Sequence, residues 1–378
     1  MSTRLRTGLA LAGSFALGGG LLYVALRGAD LGAVARAIRD GAWGWMLPLA
    51  LVTVLSVVAR AWRWTLLLDT LPQADGTPQR DRTPFGIALS SVMIGYLVNL
   101  AVPRLGEAVR AGNIAARRPL GFVAVAGTVV AERLLDVAML AVALASVSLI
   151  FGARLGAVAV EAVRGVERLV AGLPAAVDVL LAAAVIAAIA AVVWLRIRAR
   201  RAASATPSAG RGLAAQFRDG ALTLVRTGRP GALAASTLVI WACYATMSYL
   251  PLRILGMDAA YGLGPIDAWA LMTVGAVGMT LPAPGGAGSF HYATIQTLVL
   301  LFAVPVLPAT SYAVLGHAAQ LVFYAVAGAI ALLVQGTGLR TATAVATAAS
   351  TGAAPEGDGR DGDGRPVVRP ARPAPIAS

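Results

Sequence analysis

The sequence predicts an all-α integral membrane protein of about six full transmembrane helices plus two re-entrant helical hairpins, with the two halves related as an inverted repeat. Three observations carry that expectation. Apolar residues fill 58% of the 378 positions and charged ones only 13%, with mean hydropathy +0.76, a balance no water-soluble core requires. The apolar residues fall in runs long enough to cross a hydrocarbon layer about 30 Å thick. Two further runs stop short at Pro103 and Pro282, where proline disfavours helix for the residue before it.

Taken in order, Arg4 and Arg6 precede an uncharged run, Thr7 to Leu26, of spanning length. A signal peptide starts the same way but has a shorter apolar core, so the run reads as an anchor. The second span, Trp43 to Trp64, carries Trp43 and Trp45 at one end and Trp62 and Trp64 at the other, as interfacial belts do. Arg60, Arg63 and Trp64 read as interfacial anchors at its cytoplasmic exit. The polar loop Asp69 to Pro84 follows. Phe85 to Val102 is too short for a comfortable crossing and ends at Pro103. A hairpin returning by Arg118 keeps Arg117 and Arg118 on the cytoplasmic side, whereas a full crossing strands four arginines outside.

The next span, Leu120 to Ile150, contains Glu132, Arg133 and Asp136. On a helix the two carboxylates share a face, and Arg133 lies one turn from Asp136. Phe151 to Leu173 mixes arginine and glutamate and reads as an interfacial amphipathic segment. Pro174 to Trp194 is an alanine-rich span leading into a cytoplasmic loop, residues 196–230, that opens with Arg196, Arg198, Arg200 and Arg201. Gly231 to Leu250 spans again. Ile266 to Leu281 is the second short run, broken by P-A-P-G-G-A-G-S-F-H from Pro282 to His291, and Ala309 to Val334 is the last span. Residues 1–338 thus form the membrane domain. Residues 339–378 are low in apolar content and read as a disordered cytoplasmic tail, and its Asp358 run lacks the glutamate of a calcium loop.

An offset of 181 positions sets Pro103 on Pro284, and offsets near 188 align the flanking spans, giving repeat halves 43–150 and 231–335. Counting spans puts both termini in the cytoplasm of a multi-pass protein of the cell membrane. The first hairpin then enters from inside and the second from outside. Chance spacing of spans is the competing explanation, because residue identity between the halves is slight.

Net charge is +13, and all 31 basic residues are arginine. They cluster at span ends, which fits anionic lipid head groups and excludes nucleic acid as a partner. Cys243 sits alone in an apolar run and reads as core. His291 and His317 are too few for a metal site, and no cofactor is expected.

The chemistry concentrates in N-L-A-V-P-R-L-G-E-A-V-R, Asn99 to Arg110. An unpaired charge at membrane depth costs about 2.5–3.5 kcal/mol, so this stretch needs partners or a wet cavity. Arg104 and Arg110 offer forked donors that match phosphate, and Glu107, one turn from each, could hold both in register. Gly285, Gly286 and Gly288 would let backbone approach a ligand, with a helix start near Ser289 aimed at an anion. Salt bridges that only fix the hairpin are the alternative. Glu132, Arg133 and Asp136 suit either an ion relay or a structural triad. Ser289 with His317 could form a hydrolytic dyad, but a Gly-Ser pair is weak evidence in a glycine-rich loop, so no catalytic residue is assigned.

R-A-W-R-W at Arg60 to Trp64, the Asn99 to Arg110 stretch, E-R-L-L-D at Glu132 to Asp136 and P-A-P-G-G-A-G at Pro282 to Gly288 occur in that order. In this the chain resembles the transmembrane, flippase-like domain of the lysylphosphatidylglycerol synthase family. The resemblance implies a domain that moves a phospholipid or polyprenyl-linked lipid between leaflets. The family's aminoacyl transfer belongs to a separate soluble domain, which the low-complexity tail does not resemble, so synthase activity is not expected. Many relatives carry glutamate where this chain has His291.

Overall fold

The computed structural model describes residues 3–102, 104–171, 213–280 and 283–336, and every regular element in them is helical. The chain opens with α1 (Thr3–Leu26) and α2 (Leu31–Arg39), whose first turn is capped by Asp30 accepting from the Ala33 amide at 3.0 Å. α3 (Met46–Leu68) leads into a hairpin of α4 (Phe85–Ala101) and α5 (Leu105–Arg117), followed by α6 (Phe122–Ala171). After the short α7 (Leu213–Ala221) and α8 (Thr223–Arg226) come α9 (Pro230–Ile254) and α10 (Met257–Tyr261). A second hairpin follows, built from α11 (Pro265–Gly278), a single tight turn at Pro284–Gly286, and α12 (Ser289–Gln296), which widens into one π-helical turn, Thr297–Leu301. α13 (Val306–Gln335) closes the described chain.

Four helical segments among the described residues are long and apolar enough to cross a membrane: Trp43–Leu68, Phe122–Gly152, Pro230–Ile254 and Val306–Gln335. The protein is a multi-pass, all-α membrane protein. The first expected span lies within α1, a helix of 24 residues. The expected span Pro174 to Trp194, the first part of the 196–230 loop and the 339–378 tail lie outside the described residues. Phe151 to Leu173 was expected as a separate interfacial segment, but α6 carries on without a break to Ala171, since no proline stands in that run to end it.

Both hairpins close because small residues let their helices touch. Gly95 on α4 faces Gly106 on α5, and a Cβ on either would run into the other's backbone carbonyl. The Gly106 amide donates to Asn99 Oδ1 at 2.8 Å, which ties the turn. In the second hairpin Gly278 lies against Ser289 and Ala293, and Gly275 against the Phe290 ring. The residues after Pro103 and Pro284 share a backbone state: Arg104 has φ 67° and Gly285 φ 58°. That left-handed state is free for glycine but costs arginine about 1–2 kcal/mol.

The long helices pack in matching ways. α3 and α9 run antiparallel, with the Ala42 amide donating to the Ile254 carbonyl at 2.7 Å at one end and Arg63 Nη1 to Thr237 Oγ1 at 3.2 Å at the other. α13 lies along the first hairpin, where Gly328 admits Met93 and Leu97 and Gln335 bonds Ser90. α6 lies along the second, where Trp269 Nε1 donates to Ser146 Oγ at 2.9 Å. Around the first hairpin the core is Val57, Ala61, Trp64, Val92, Ile114 and Val125.

Candidate functional site

The apolar shell of α3, α4, α5 and α6 encloses a cluster of charge. Arg60 Nη2 donates to Asp136 Oδ2 at 3.2 Å and to the Tyr244 hydroxyl at 2.9 Å. Arg63, fully buried, donates to Asp136 Oδ1 at 2.8 Å and lies 3.5 Å from Glu132. Arg110 Nη2 stands 2.7 Å from Glu132 Oε2, a charge contact outside hydrogen-bonding geometry. Its guanidinium lies over the Trp64 ring, 4.7 Å from the centroid. Arg133 donates to Glu107 Oε1 at 2.5 Å and to Asp136 Oδ2 at 3.5 Å.

Helical spacing explains the convergence. Arg60 and Arg63 are one turn apart on α3, Glu107 and Arg110 one turn apart on α5, and Glu132 and Asp136 one turn apart on α6. Each helix turns one polar pair toward the others. Between them lies a narrow cleft with only about 10 Å³ of free space, room for about one water, lined by Arg60, Tyr96, Asn99, Glu107, Arg110 and Arg133, together with Val92, Gly95 and Gly106. Tyr96 stacks on Tyr324 of α13 at 4.2 Å. The Nε atoms of Arg60, Arg63 and Arg110 are buried without a hydrogen-bond partner, a costly state unless something further accepts from them.

Several sequence expectations change here. Arg60, Arg63 and Trp64 are not interfacial anchors: they are 5%, 0% and 0% exposed, because carboxylates from α6 neutralise the arginines and Trp64 donates to Thr128 Oγ1 at 2.9 Å. Glu107 does not clamp Arg104 and Arg110 together, since Arg133 of α6 takes it instead. Glu132 and Asp136 do not stand open as a relay, being already paired with arginines. Arg104 is separate from the cluster. It lies at the hairpin tip and donates from Nη2 to the Thr280 carbonyl at 3.1 Å, joining the two hairpins. Asn99, Arg110 and Arg133 do gather at the cavity.

The glycine-rich turn is placed elsewhere. Gly285, Gly286, Gly288 and His291 do not line the cavity. The space a side chain would need at Gly288 holds the α1 backbone at Gly18 and Leu22. At Gly286 it holds Met279, and at Gly285 Leu321 and Leu100. These glycines admit protein and not ligand. The Gly288 amide donates to His291 Nδ1 at 3.4 Å, so the start of α12 is not open to an anion. Ser289 Oγ donates to the Gly286 carbonyl at 3.3 Å, and among the described residues it has no hydrogen bond to a histidine.

These positions can be set beside known proteins. The profile of the lysylphosphatidylglycerol synthase TM region matches residues 9–328. The chain belongs to that family. The match runs from α1 into α13 and takes in both hairpins and every residue of the charged cluster. Comparison with curated proteins and with solved structures gives no match. The family membership and the apolar helices make this an integral membrane protein connected with lipid handling. Sequence reasoning missed Tyr96, Tyr244, Tyr324 and Thr237. Tyr96 stands on a predicted hairpin, which was a usable signal, but the other three reach the cluster only through the packing of α9 and α13.

Proposed function

We propose that the protein is a flippase-like translocator whose Arg60–Arg110 cleft widens to receive the phosphodiester of a phospholipid or polyprenyl-linked lipid. One observation carries the reading. The cluster sets four guanidinium groups, Arg60, Arg63, Arg110 and Arg133, against three carboxylates, Glu107, Glu132 and Asp136. That leaves one positive charge without a counter-charge in a low-dielectric site, and two of its unpartnered Nε donors belong to Arg60 and Arg110 beside the cavity. A phosphodiester brings one negative charge and the acceptors those donors lack. The protein performs no covalent chemistry in this reading, its partners are membrane lipids, and it needs no cofactor. It sits in the cell membrane with both termini cytoplasmic, a placement supported by the arginine-rich stretch from Arg196 to Arg201.

The antiparallel α3 and α9, with a hairpin and a second long helix following each, favour an inverted repeat in which the hairpin tips meet at Arg104 and Thr280. Translocation then requires that contact to part. The test is reconstitution into vesicles carrying a phospholipid with a fluorescent head group, whose quenching from outside reports movement between leaflets. Wild type should expose the inner-leaflet label, while Arg60→Gln and Arg104→Ala should not. Equal exposure in all three would sink the assignment. A non-transporting scaffold predicts no exposure and no retained lipid, and a carrier of a small soluble solute predicts solute uptake with the label unmoved.

A further inference from the structure

The second half holds a polar site that the phosphodiester does not use. His291 on α12 and His317 on α13 lie with ring centroids 4.9 Å apart, and are 7% and 1% exposed. Both nitrogens of His317 lack a hydrogen-bond partner. Phe290 covers the His317 ring at 5.0 Å. A buried imidazole with two vacant nitrogens is an expensive group to keep for packing alone.

Among the described residues the surroundings supply no fixed counter-charge. On α11 the one charged residue, Asp267, accepts from the Gly264 amide at the start of its helix. On α9 Arg253 is paired with Asp258, and on α2 Arg36 and Arg39 pair with Asp30 and Asp40. Arg60 and Arg63 of α3 belong to the cluster of the first half. Tyr312 of α13 donates to the Ser248 carbonyl, Tyr292 of α12 and Tyr23 of α1 are exposed, and Tyr96 of α4 stacks on Tyr324. Proton exchange at the pair is therefore set by the two rings and the backbone beside them.

That backbone is the tip of the second hairpin. His291 Nδ1 accepts from the Gly288 amide, and the Gly285 backbone lies beside His317, outside hydrogen-bonding geometry. From these contacts we infer that the His291–His317 pair is a proton site that drives the hairpin tips. A proton bound at His291 Nδ1 removes the only lone pair available to the Gly288 amide, so that contact breaks. Protonated His317 gains an N–H with the Gly285 backbone beside it. The turn that follows Thr280 thus moves between two sets of bonds, and Thr280 is the residue Arg104 holds. One proton taken from one aqueous side and released to the other offsets the single negative charge of a phosphodiester, which makes their joint movement electroneutral.

The proton site rests on the translocator reading for its consequence, and two measurements separate them. Purified wild-type protein with ¹⁵N-labelled histidine, titrated from about pH 8 to about pH 3 in detergent, should show the buried imidazoles taking up a proton while the protein stays folded, with the uptake reduced in His317→Gln. Imidazoles that stay neutral throughout in folded protein would overturn the proton site, whatever the lipid assay shows. In vesicles with fluorescent phosphatidylglycerol as the probe, an imposed proton gradient should speed head-group movement several-fold in wild type and leave His317→Gln and His291→Gln unresponsive. His317→Gln should still retain lipid on purification. Movement that ignores the gradient in wild type, or a response that survives in both variants, would refute the coupling. No movement in wild type under any gradient would refute the coupling and the translocator reading together, while leaving the titration to decide the proton site.

Discussion

The two halves solve one architectural problem with opposite chemistry. Around the first hairpin, four arginines and three carboxylates are packed into a shell of Trp64, Val92 and Ile114. Around the second, the same place in the plan is filled by glycine, phenylalanine and a pair of histidines. Buried ion pairs gain little net stability, because desolvation takes back most of the Coulomb attraction. The first half is therefore held mainly by its apolar shell. The core around the second hairpin is built instead from neutral groups, with the histidine pair as its titratable element. A charged cluster and a neutral histidine pair are different devices, and the two hairpins hold one each.

The largest test of that contrast is Glu132→Ala. It strands Arg63 and Arg110 without their shared carboxylate and should destabilise the protein by about 3–5 kcal/mol. A neutral change in the second half, His317→Gln, should cost much less. Comparable losses of thermal stability in detergent would erase the distinction. Next is Gly106→Ala, which must force α4 and α5 apart at Gly95 and should cost about 1–3 kcal/mol. A smaller loss would mean that the hairpin flexes where the structure has it locked.

Arg104→Ala deletes the bond between the tips and should lower stability by only about 0.5–1.5 kcal/mol, yet stop head-group movement. Stability and transport falling together would make Arg104 structural. The smallest expected effect is Glu107→Gln. Its pair with Arg133 is partly open to solvent, 31% and 44% exposed, so about 0–1 kcal/mol is at stake. Calorimetry at low and high salt would check that the remainder is screened.

How much of this was legible beforehand depended on the range of the interactions. The break at Pro103 and the polar run to Arg110 could be read because proline and misplaced charge are local signals. The pairing of Arg133 with Asp136 was legible for the same reason, being one helical turn. Arg60 and Arg63 were misread because a charge near the end of an apolar span looks alike whether it faces head groups or a carboxylate on another helix. Gly288 was misread because its purpose lies in α1, at Gly18, and glycine spacing cannot say which backbone will come close. The continuation of α6 to Ala171 was obscured by the charges in its last turns, which lower hydropathy without breaking a helix.

The left-handed backbone at Arg104 has a practical consequence. Gly285 adopts the same conformation at no cost, so Arg104→Gly should relieve the strain and raise the melting temperature while removing the side chain that reaches Thr280. Anyone engineering this protein for heat resistance would be rewarded for that substitution and, if Arg104 serves lipid movement as proposed, would select an inert variant without noticing. Screens for a sturdier form should be scored on lipid movement from the first round.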